Sequence, residues 1–325
     1  MGKAPSTEEA LLAIRKIRDN PDGFDLKRDL AQFLKHKSNH VIAAAADTVT
    51  RLELGSFCPE LVDAFLELMK KPDTRDQGCK ALIAIAKALA TMDQPAPQVY
   101  FAGIRHVQME GSFGPPVDAA APLRGLCAQG LVRMSHPNAL LECVTLLADT
   151  EIAARAGAVR ALGESGQSEG MLLLRLKALL GDDEEIMGEC CAALLRLAPA
   201  PSLDFVAGFL MASSDEVAER AALALGESRI PAAFGKLREA WERTARSELR
   251  RTLLLALAML RQDEALEFLM TRLEEDPERG ASDALAALVL YARDDTVRDR
   301  IGNVLAKRKS APLRAVFEKE FERGR

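Results

Sequence analysis

Hydrophobic positions recur along most of the chain with the spacing of one face of an α-helix. Two segments show this directly, AARAGAVRALGESG at 153–166 and EVAERAALALGESR at 216–229, which are versions of one pattern. Counted from Ala154 and Val217, positions one, five, eight, nine and twelve lie on a single helical face. The pattern therefore predicts an amphipathic helix that is repeated.

The same pattern occurs eight times. Its copies begin at Val41, Arg75, Leu123, Ala154, Ile186, Val217, Leu249 and Ala281. From Leu123 onward the copies start 31 or 32 residues apart, and position nine is Val, Ile or Leu in every copy. A second helix follows after a short turn, often with proline at its start, as in PNALLECVTLLAD at 137–149. Such a hairpin cannot bury its own apolar face, so we expect the hairpins to stack.

The predicted architecture is an all-α, right-handed α-solenoid, a superhelix of about eight to nine helical hairpins that forms one continuous domain over residues 1–325. Its predicted parts are a capping hairpin over 1–38, first repeats over 39–93, an insertion over 94–118, regular repeats over 119–309 and a capping helix over 310–325.

These segments, with SELRRTLLLALAML at 247–260, resemble HEAT repeats of the short bacterial kind, also called PBS-lyase-like. Asp118 with Arg124, and Asp149 with Arg155, match the acidic and Arg positions of that family at one fixed offset. The resemblance implies that these Arg side chains bond to carbonyls or Asp in neighbouring turns.

The resemblance covers roughly residues 25–308 and is not uniform. Gly163 and Gly226 match the family glycine, whereas Met187 and Ala218 replace the Arg. HEAT repeats occur in scaffolds, chaperones and a few enzymes, so the family implies a fold and leaves function to particular residues.

The cysteines fit the repeat better than they fit a redox or metal site. Cys79, Cys127 and Cys190 occupy position five, where three other copies have Ala, and Cys191 occupies the next column. We expect them to pack as small hydrophobic residues. The six cysteines include no CxxC pair, which favours a reducing, cytoplasmic setting without a disulfide framework.

Composition and charge narrow the function classes. Hydrophobic residues make up 48% of the chain but aromatic residues only 5%, so Leu and Ala carry the apolar content, which suits close-packed helices. A net charge of −5 spread along the chain disfavours nucleic acid as a partner. No apolar run could span a bilayer, and MGKAPSTEEALL lacks the apolar core of a signal peptide, so no membrane association is predicted.

Three enzymatic alternatives belong to HEAT-like families. Deoxyhypusine hydroxylases need repeated His-Glu pairs, and none of the four His here precedes Glu. DNA-alkylation glycosylases need a basic face with aromatic contacts, but Trp241 shares an apolar stripe with Phe234 and Leu237 that predicts core packing. Bilin lyases share the repeat, without a separate pigment signature here. The sequence predicts no catalytic residue, cofactor or metal site.

The second helices of a helical solenoid usually form its binding surface. Their outward columns contain the acids Asp63, Glu67, Asp204, Glu239 and Glu267. We interpret these as a mildly acidic groove that binds a basic peptide or another protein. The alternative is an ordinary solvated helix face.

The insertion over 94–118 is the second candidate surface. Its GSFGPP tip presents Phe113 on a proline-stiffened turn, either as an anchor for a partner or as a plug between repeats. The predicted function is a non-catalytic interaction scaffold or adaptor. The alternatives are a lyase-related HEAT protein that handles a tetrapyrrole or another small molecule, and thirdly a DNA-alkylation glycosylase. The sequence leaves the oligomeric state open.

Overall fold

A computed structural model describes residues 5–111 and 114–322 of the chain. The fold is an all-α solenoid of helical hairpins, as the sequence predicts. The contacts between Cα atoms divide the chain into two compact units, unit 1 at Met1–Leu173 and unit 2 at Leu174–Arg325. The boundary falls within one helix, α11 (Ser168–Leu180).

Unit 1 holds ten further helices and one two-stranded hairpin among its described residues. They are α1 (Thr7–Asp19), α2 (Leu26–Leu34), α3 (Asn39–Arg51), α4 (Cys58–Leu68), α5 (Pro72–Arg75), α6 (Lys80–Thr91), α7 (Pro97–Gly103), β1 (Met109–Glu110), β2 (Val117–Asp118), α8 (Ala121–Arg133), α9 (Ala139–Leu147) and α10 (Ile152–Glu164). Helices α1 and α2 are the two that the sequence predicts for the N-terminal hairpin.

The described residues of unit 2 form four hairpins and a terminal helix. The helices are α12 (Glu184–Leu197), α13 (Pro199–Gly208), α14 (Asp215–Ser228), α15 (Ala233–Arg243), α16 (Ser247–Met259), α17 (Asp263–Glu275), α18 (Glu278–Leu288), α19 (Asp295–Arg308) and α20 (Ala311–Phe317). Short helical turns occur at Pro21–Gly23, Gly55–Phe57 and Gln77–Cys79 in unit 1, and at Phe209–Met211, Val289–Tyr291 and Glu318–Glu322 in unit 2.

The core of each unit lies along its first helices, which pack side by side. In unit 1 these are α3, α6, α8 and α10, and in unit 2 they are α12, α14, α16 and α18. Small residues let the helices approach closely. A Cβ atom on Gly125 of α8 would lie only 2.8 Å from the Cα of Gly157 in α10, so neither position has room for a side chain.

The second repeat begins six residues later than the sequence predicts. Arg75, predicted as its first position, ends the short helix α5, and Cys79 lies ahead of α6 with a left-handed φ of 53°. Near the end of α6, the carbonyl of Leu89 accepts a hydrogen bond from the N–H of Gln94, 2.9 Å away. Equivalent bonds are accepted by the position-nine residues of the neighbouring repeats, Val49 and Leu131. Leu89 is therefore position nine, and the repeat begins at Ala81.

With the second repeat beginning at Ala81, the residues in excess of the regular spacing of 31 or 32 fall in two segments. The predicted insertion over 94–118 is too long because it includes α7, which packs against α4, α6 and α8 as the second helix of its hairpin. The extra residues are instead 71–79, before α6, and 104–118, before α8. Because the second repeat was predicted to begin at Arg75, residues 71–79 were not recognised as extra. The predicted insertion over 94–118 was too long for the same reason.

The second extra segment carries the strands β1 and β2. They pair antiparallel, with Met109 opposite Asp118 and Glu110 opposite Val117. Phe113, the predicted anchor or plug, lies outside the described residues, so both interpretations stay predictions.

Candidate protein-binding surface

The acids predicted for the second helices of unit 2 are exposed, and each is paired with a cation. Asp204 of α13 lies 2.8 Å from Lys236 Nζ of α15, an interaction that raises the pKa of Lys236. The carboxylate of Glu267 in α17 accepts two bonds of 2.8 Å from Arg300 Nη2 in α19. These two pairs link the second helices of successive hairpins.

Glu239 completes the predicted acidic row and is paired within its own helix. Its Oε1 accepts a hydrogen bond of 3.1 Å from Arg243, four residues later in α15. The second-helix face of unit 2 is therefore a row of neighbouring opposite charges. Exposed pairs of this kind contribute about 0–1 kcal/mol each, so a partner can displace them at little cost.

A groove of about 360 Å³ runs between α13 and α15 beside these pairs. Ala207, Gly208 and Ala240 line it, and Met211, 49% exposed, lies at the end where α13 gives way to a helical turn. A Cβ on Gly208 would meet nothing within 4 Å, so this glycine leaves the surface open instead of serving a close helix contact.

Three leucines at the C-terminal end of α11 are exposed to solvent. Leu176, Leu179 and Leu180 are 54%, 70% and 75% exposed and lie three or four residues apart on one helix face. Arg175 holds this end of α11 beside α13, because its guanidinium lies 4.3 Å from the ring centre of Phe205 and donates to a carbonyl of α13. Large apolar side chains exposed on neighbouring positions are typical of interaction surfaces.

Trp241 is buried beneath the second helices of unit 2, as the sequence predicts. Its ring is 7% exposed and meets Phe268 edge to face at 5.3 Å. The guanidinium of Arg250 lies over the same ring at 3.9 Å. Trp241 is therefore a packing residue, and its ring is not presented for stacking on a base.

The remaining predicted acids lie in unit 1, apart from those of unit 2. Asp63 and Glu67 are both exposed on α4, and Glu67 pairs with Lys70. Lys70 donates a hydrogen bond to Glu67 and lowers the pKa of that carboxyl. Each unit thus presents its own acids on second helices.

The β1–β2 hairpin presents apolar side chains as well. Val107, Met109 and Val117 are 58%, 57% and 56% exposed. This part of the predicted insertion is therefore a second exposed apolar patch, in unit 1.

A polar residue lies five positions before the start of six of the eight repeats. These residues form one column of the repeat, made up of His36, Asp76, Asp118, Asp149, Thr244 and Asp276, of which four are buried. Asp118 and Asp149 are the acids that carry the family resemblance. With the second repeat beginning at Ala81, Asp76 falls in the same column, which supports the corrected register.

Arg124 joins two members of this column and is itself buried. It donates to Asp118 at 2.6 Å and, through two nitrogens, to Asp149 at 2.9 and 3.0 Å. It also donates to the carbonyl of His106. The resemblance-based expectation that the Arg residues bond to Asp and carbonyls is confirmed here, and Arg155 likewise donates to the carbonyl of Asp149.

Asp76 was missed from the sequence because the register placed it outside the pattern. Its carboxylate accepts hydrogen bonds from the N–H groups of Ala81 and Leu82, at 2.9 and 2.8 Å, and so caps the start of α6. Gln108 donates to the Asp76 carbonyl from the second extra segment. The two extra segments are thus joined by one buried polar cluster, which is a structural feature.

Five of the six cysteines are buried, and these thiols are protonated at neutral pH. Burial raises the pKa of Cys190 and of Cys191 to about 12. A thiol in that state is a poor nucleophile and a poor metal ligand. Within residues 5–111 and 114–322, no group of three or more His, Cys, Asp or Glu side chains could hold a metal ion.

This arrangement predicts the reactivity of the thiols towards DTNB. In the folded chain we expect Cys58, which is half-buried, to react first and the five buried cysteines only slowly. All six should react at once in denaturant, and Cys58→Ser should remove the early phase. Rapid labelling of Cys190 or Cys191 in the folded chain would contradict a packing role.

With this geometry described, comparison with known proteins identifies the repeat. Residues 203–289 match the family model for HEAT repeats. The chain carries HEAT repeats. The matched residues run from α13 to the end of α18 and include the Asp204–Lys236 and Glu239–Arg243 pairs and Glu267, whose partner Arg300 lies beyond the match.

Solved structures similar to this chain include the complex of CpcE and CpcF of phycocyanin lyase from Nostoc sp. PCC7120. It is 15% identical over 76% of this chain and 94% of that chain, with a TM-score of 0.41. An engineered protein is 19% identical over 97% of this chain and 93% of its own, also with a TM-score of 0.41. Likenesses at this identity concern the fold and carry no information on activity.

The search of curated proteins gave no match. Among the described helices, none has the length and hydropathy that crossing a membrane requires.

Proposed function

We propose that this HEAT-repeat protein is a non-catalytic scaffold or adaptor, and that it binds a partner protein through the second-helix face of unit 2. The observation that carries the proposal is the exposure of Leu176, Leu179 and Leu180 on α11, which lies beside α13, the first of the second helices with exposed charged pairs in unit 2. Protein interfaces combine an apolar centre with a polar rim, and this face offers both.

The apolar part supplies most of the expected affinity. Each leucine that a partner covers removes apolar surface from water at about 25 cal/mol per Å². The charged pairs contribute specificity, since a partner must replace the cations that Asp204 and Glu267 lose. A partner with apolar side chains flanked by basic residues fits both requirements, in line with the acidic groove predicted from the sequence.

The proposal predicts which surface variant loses the partner. Partners are captured from the source lysate with three forms of the chain. These are the wild type, Leu176/Leu179/Leu180→Ser and Val107/Met109/Val117→Ser. The second variant changes equally exposed side chains, but at the β1–β2 hairpin. We expect the leucine variant to lose the major partner by at least about tenfold in quantitative mass spectrometry, because three buried contacts are removed.

The Val107/Met109/Val117→Ser variant is the control for unspecific apolar binding and should retain the partner. Loss of the partner from that variant alone would move the binding surface to the insertion. Retention by both variants would overturn the proposal.

A further inference from the structure

A second charged surface lies on the first helices of unit 1. A groove of about 630 Å³ runs between α1 and α3 and reaches α6. Its charged lining consists of Arg15 and Arg18 from α1, Asp47 and Arg51 from α3, and Lys87 from α6. Four cations thus face one carboxylate, in a chain whose net charge is −5.

Helix stability accounts for only two of these cations. Arg18 and Arg51 lie in the last turns of α1 and α3, where a cation interacts favourably with the helix dipole. Arg15 lies before the last turn of α1, and the last turn of α6 contains no basic residue, so Lys87 lies outside it too.

The ion pairs within the protein also leave positive charge in the groove. Arg15 and Arg18 share one carboxylate, that of Asp19, at 3.7 and 3.3 Å. Neither Arg51 nor Lys87 forms a salt bridge with any of residues 5–111 or 114–322. Like charges gathered in this way repel each other until an anion binds between them.

The floor of the groove is apolar. Ile14 is buried there and Leu11 is 37% exposed beside it. Asp47 also lines the groove and is exposed, and partial desolvation raises the pKa of its carboxyl although Lys87 opposes the shift. The groove therefore offers cations at its rim and an apolar patch below them.

We propose that this groove binds an acidic segment of a partner protein, with Asp or Glu side chains on Arg15, Arg18, Arg51 and Lys87 and one apolar side chain on Leu11. A protein segment fits better than nucleic acid because no aromatic side chain lines the groove for base stacking. Only a ligand with an apolar group would cover the apolar floor of the groove. The surface lies on different helices from the leucines of α11, so the inference does not depend on the proposed function.

The test is fluorescence anisotropy with the full chain. The probe is a labelled peptide of Glu and Asp residues around a central Leu. The comparison probes are the same peptide with Gln and Asn in place of the acids, and a single-stranded oligonucleotide. We expect the acidic peptide alone to bind, and its binding to weaken as salt shortens the range of the charges.

Three variants test the assignment of the groove. Arg51→Glu/Lys87→Glu should weaken peptide binding by about tenfold, because two attractions become repulsions. Asp47→Asn should strengthen binding, since it removes the one carboxylate that opposes the ligand. Arg196→Glu is the control, because Arg196 is exposed and occupies in α12 the repeat position that Arg51 occupies in α3. It should leave binding unchanged.

Any of the following results would overturn the proposal. One is equal loss of binding in Arg196→Glu, which would make the effect one of total charge. Another is equal binding of the neutral peptide or absence of binding by the wild type. The last is tighter binding of the oligonucleotide, which would assign the groove to nucleic acid.

Discussion

Replacing Arg124 with methionine is expected to cost about 3–5 kcal/mol of the free energy of unfolding. Methionine keeps much of the volume but removes the charge between Asp118 and Asp149, whose side chains are only 3% and 16% exposed. Both carboxylates then lack their buried counter-charge. Urea denaturation followed by circular dichroism measures the loss.

Arg133→Met is the matched control, because Arg133 lies on the same helix but is 38% exposed. The free energy of unfolding lost in Arg133→Met should stay within about 1 kcal/mol. A loss in Arg124→Met no larger than in Arg133→Met would show that the buried network does not stabilise unit 1.

The difference in the free energy of unfolding between wild type and Arg124→Met should depend on pH. Burial of Asp118 raises its pKa, but hydrogen bonds from the Gln108 N–H, from Arg124 and from the Ala120 N–H outweigh this, and the net pKa is lowered. A carboxyl with a lowered folded pKa stabilises the fold above its unfolded pKa, near 3.9, and loses that contribution as pH falls through the folded value. The difference between wild type and Arg124→Met should therefore be full at neutral pH and shrink below about pH 4.

Trp241→Ala is the second variant with a large expected effect, a loss of about 3–5 kcal/mol. The substitution removes the ring that Phe268 meets edge to face and that the guanidinium of Arg250 covers. It also removes the largest apolar side chain from the layer beneath the second helices of unit 2. Denaturation must be followed by circular dichroism, because Trp241 is the single Trp of the chain.

Trp241→Phe separates packing from a specific role of the indole. A phenyl ring keeps an aromatic face for Arg250 and an edge for Phe268, and the indole N–H finds no hydrogen-bond partner among the described residues. We expect a loss below about 1.5 kcal/mol. If Trp241→Ala left the free energy of unfolding unchanged, Trp241 would be a surface residue. Stacking of its ring on a ligand would then again be an alternative.

The helices of the regular repeats could be predicted from the sequence because their inward positions are mostly apolar and position nine is always aliphatic. The register failed only near Arg75, where the nine extra residues 71–79 before α6 break the period. The position of Asp76, five residues before Ala81, would have given the correct register, since Asp118 and Asp149 precede Leu123 and Ala154 by the same distance. The polar residues five positions before the repeat starts therefore indicate the correct register of the second repeat, whereas the apolar positions did not.

The candidate surface could be predicted only in part. The outward acids followed from helical spacing, but their cations belong to the next hairpin, as Lys236 does for Asp204. The leucines of α11 were missed because MLLLRLKALL is apolar around most of the helix, so its period does not say which side is covered. Only the packing of α11 beside α13 shows that Leu179 and Leu180 face solvent.

The most direct test of the scaffold proposal is photo-crosslinking in the source cells. A benzophenone amino acid is placed at Leu179, and in a parallel strain at Arg196, which is exposed on a first helix of the same unit. The account predicts one dominant crosslinked partner from position 179 and none from position 196, with the adduct lost when Leu176 and Leu180 are also changed to Ser. Equal adducts from both positions, or no protein adduct from position 179, would contradict it.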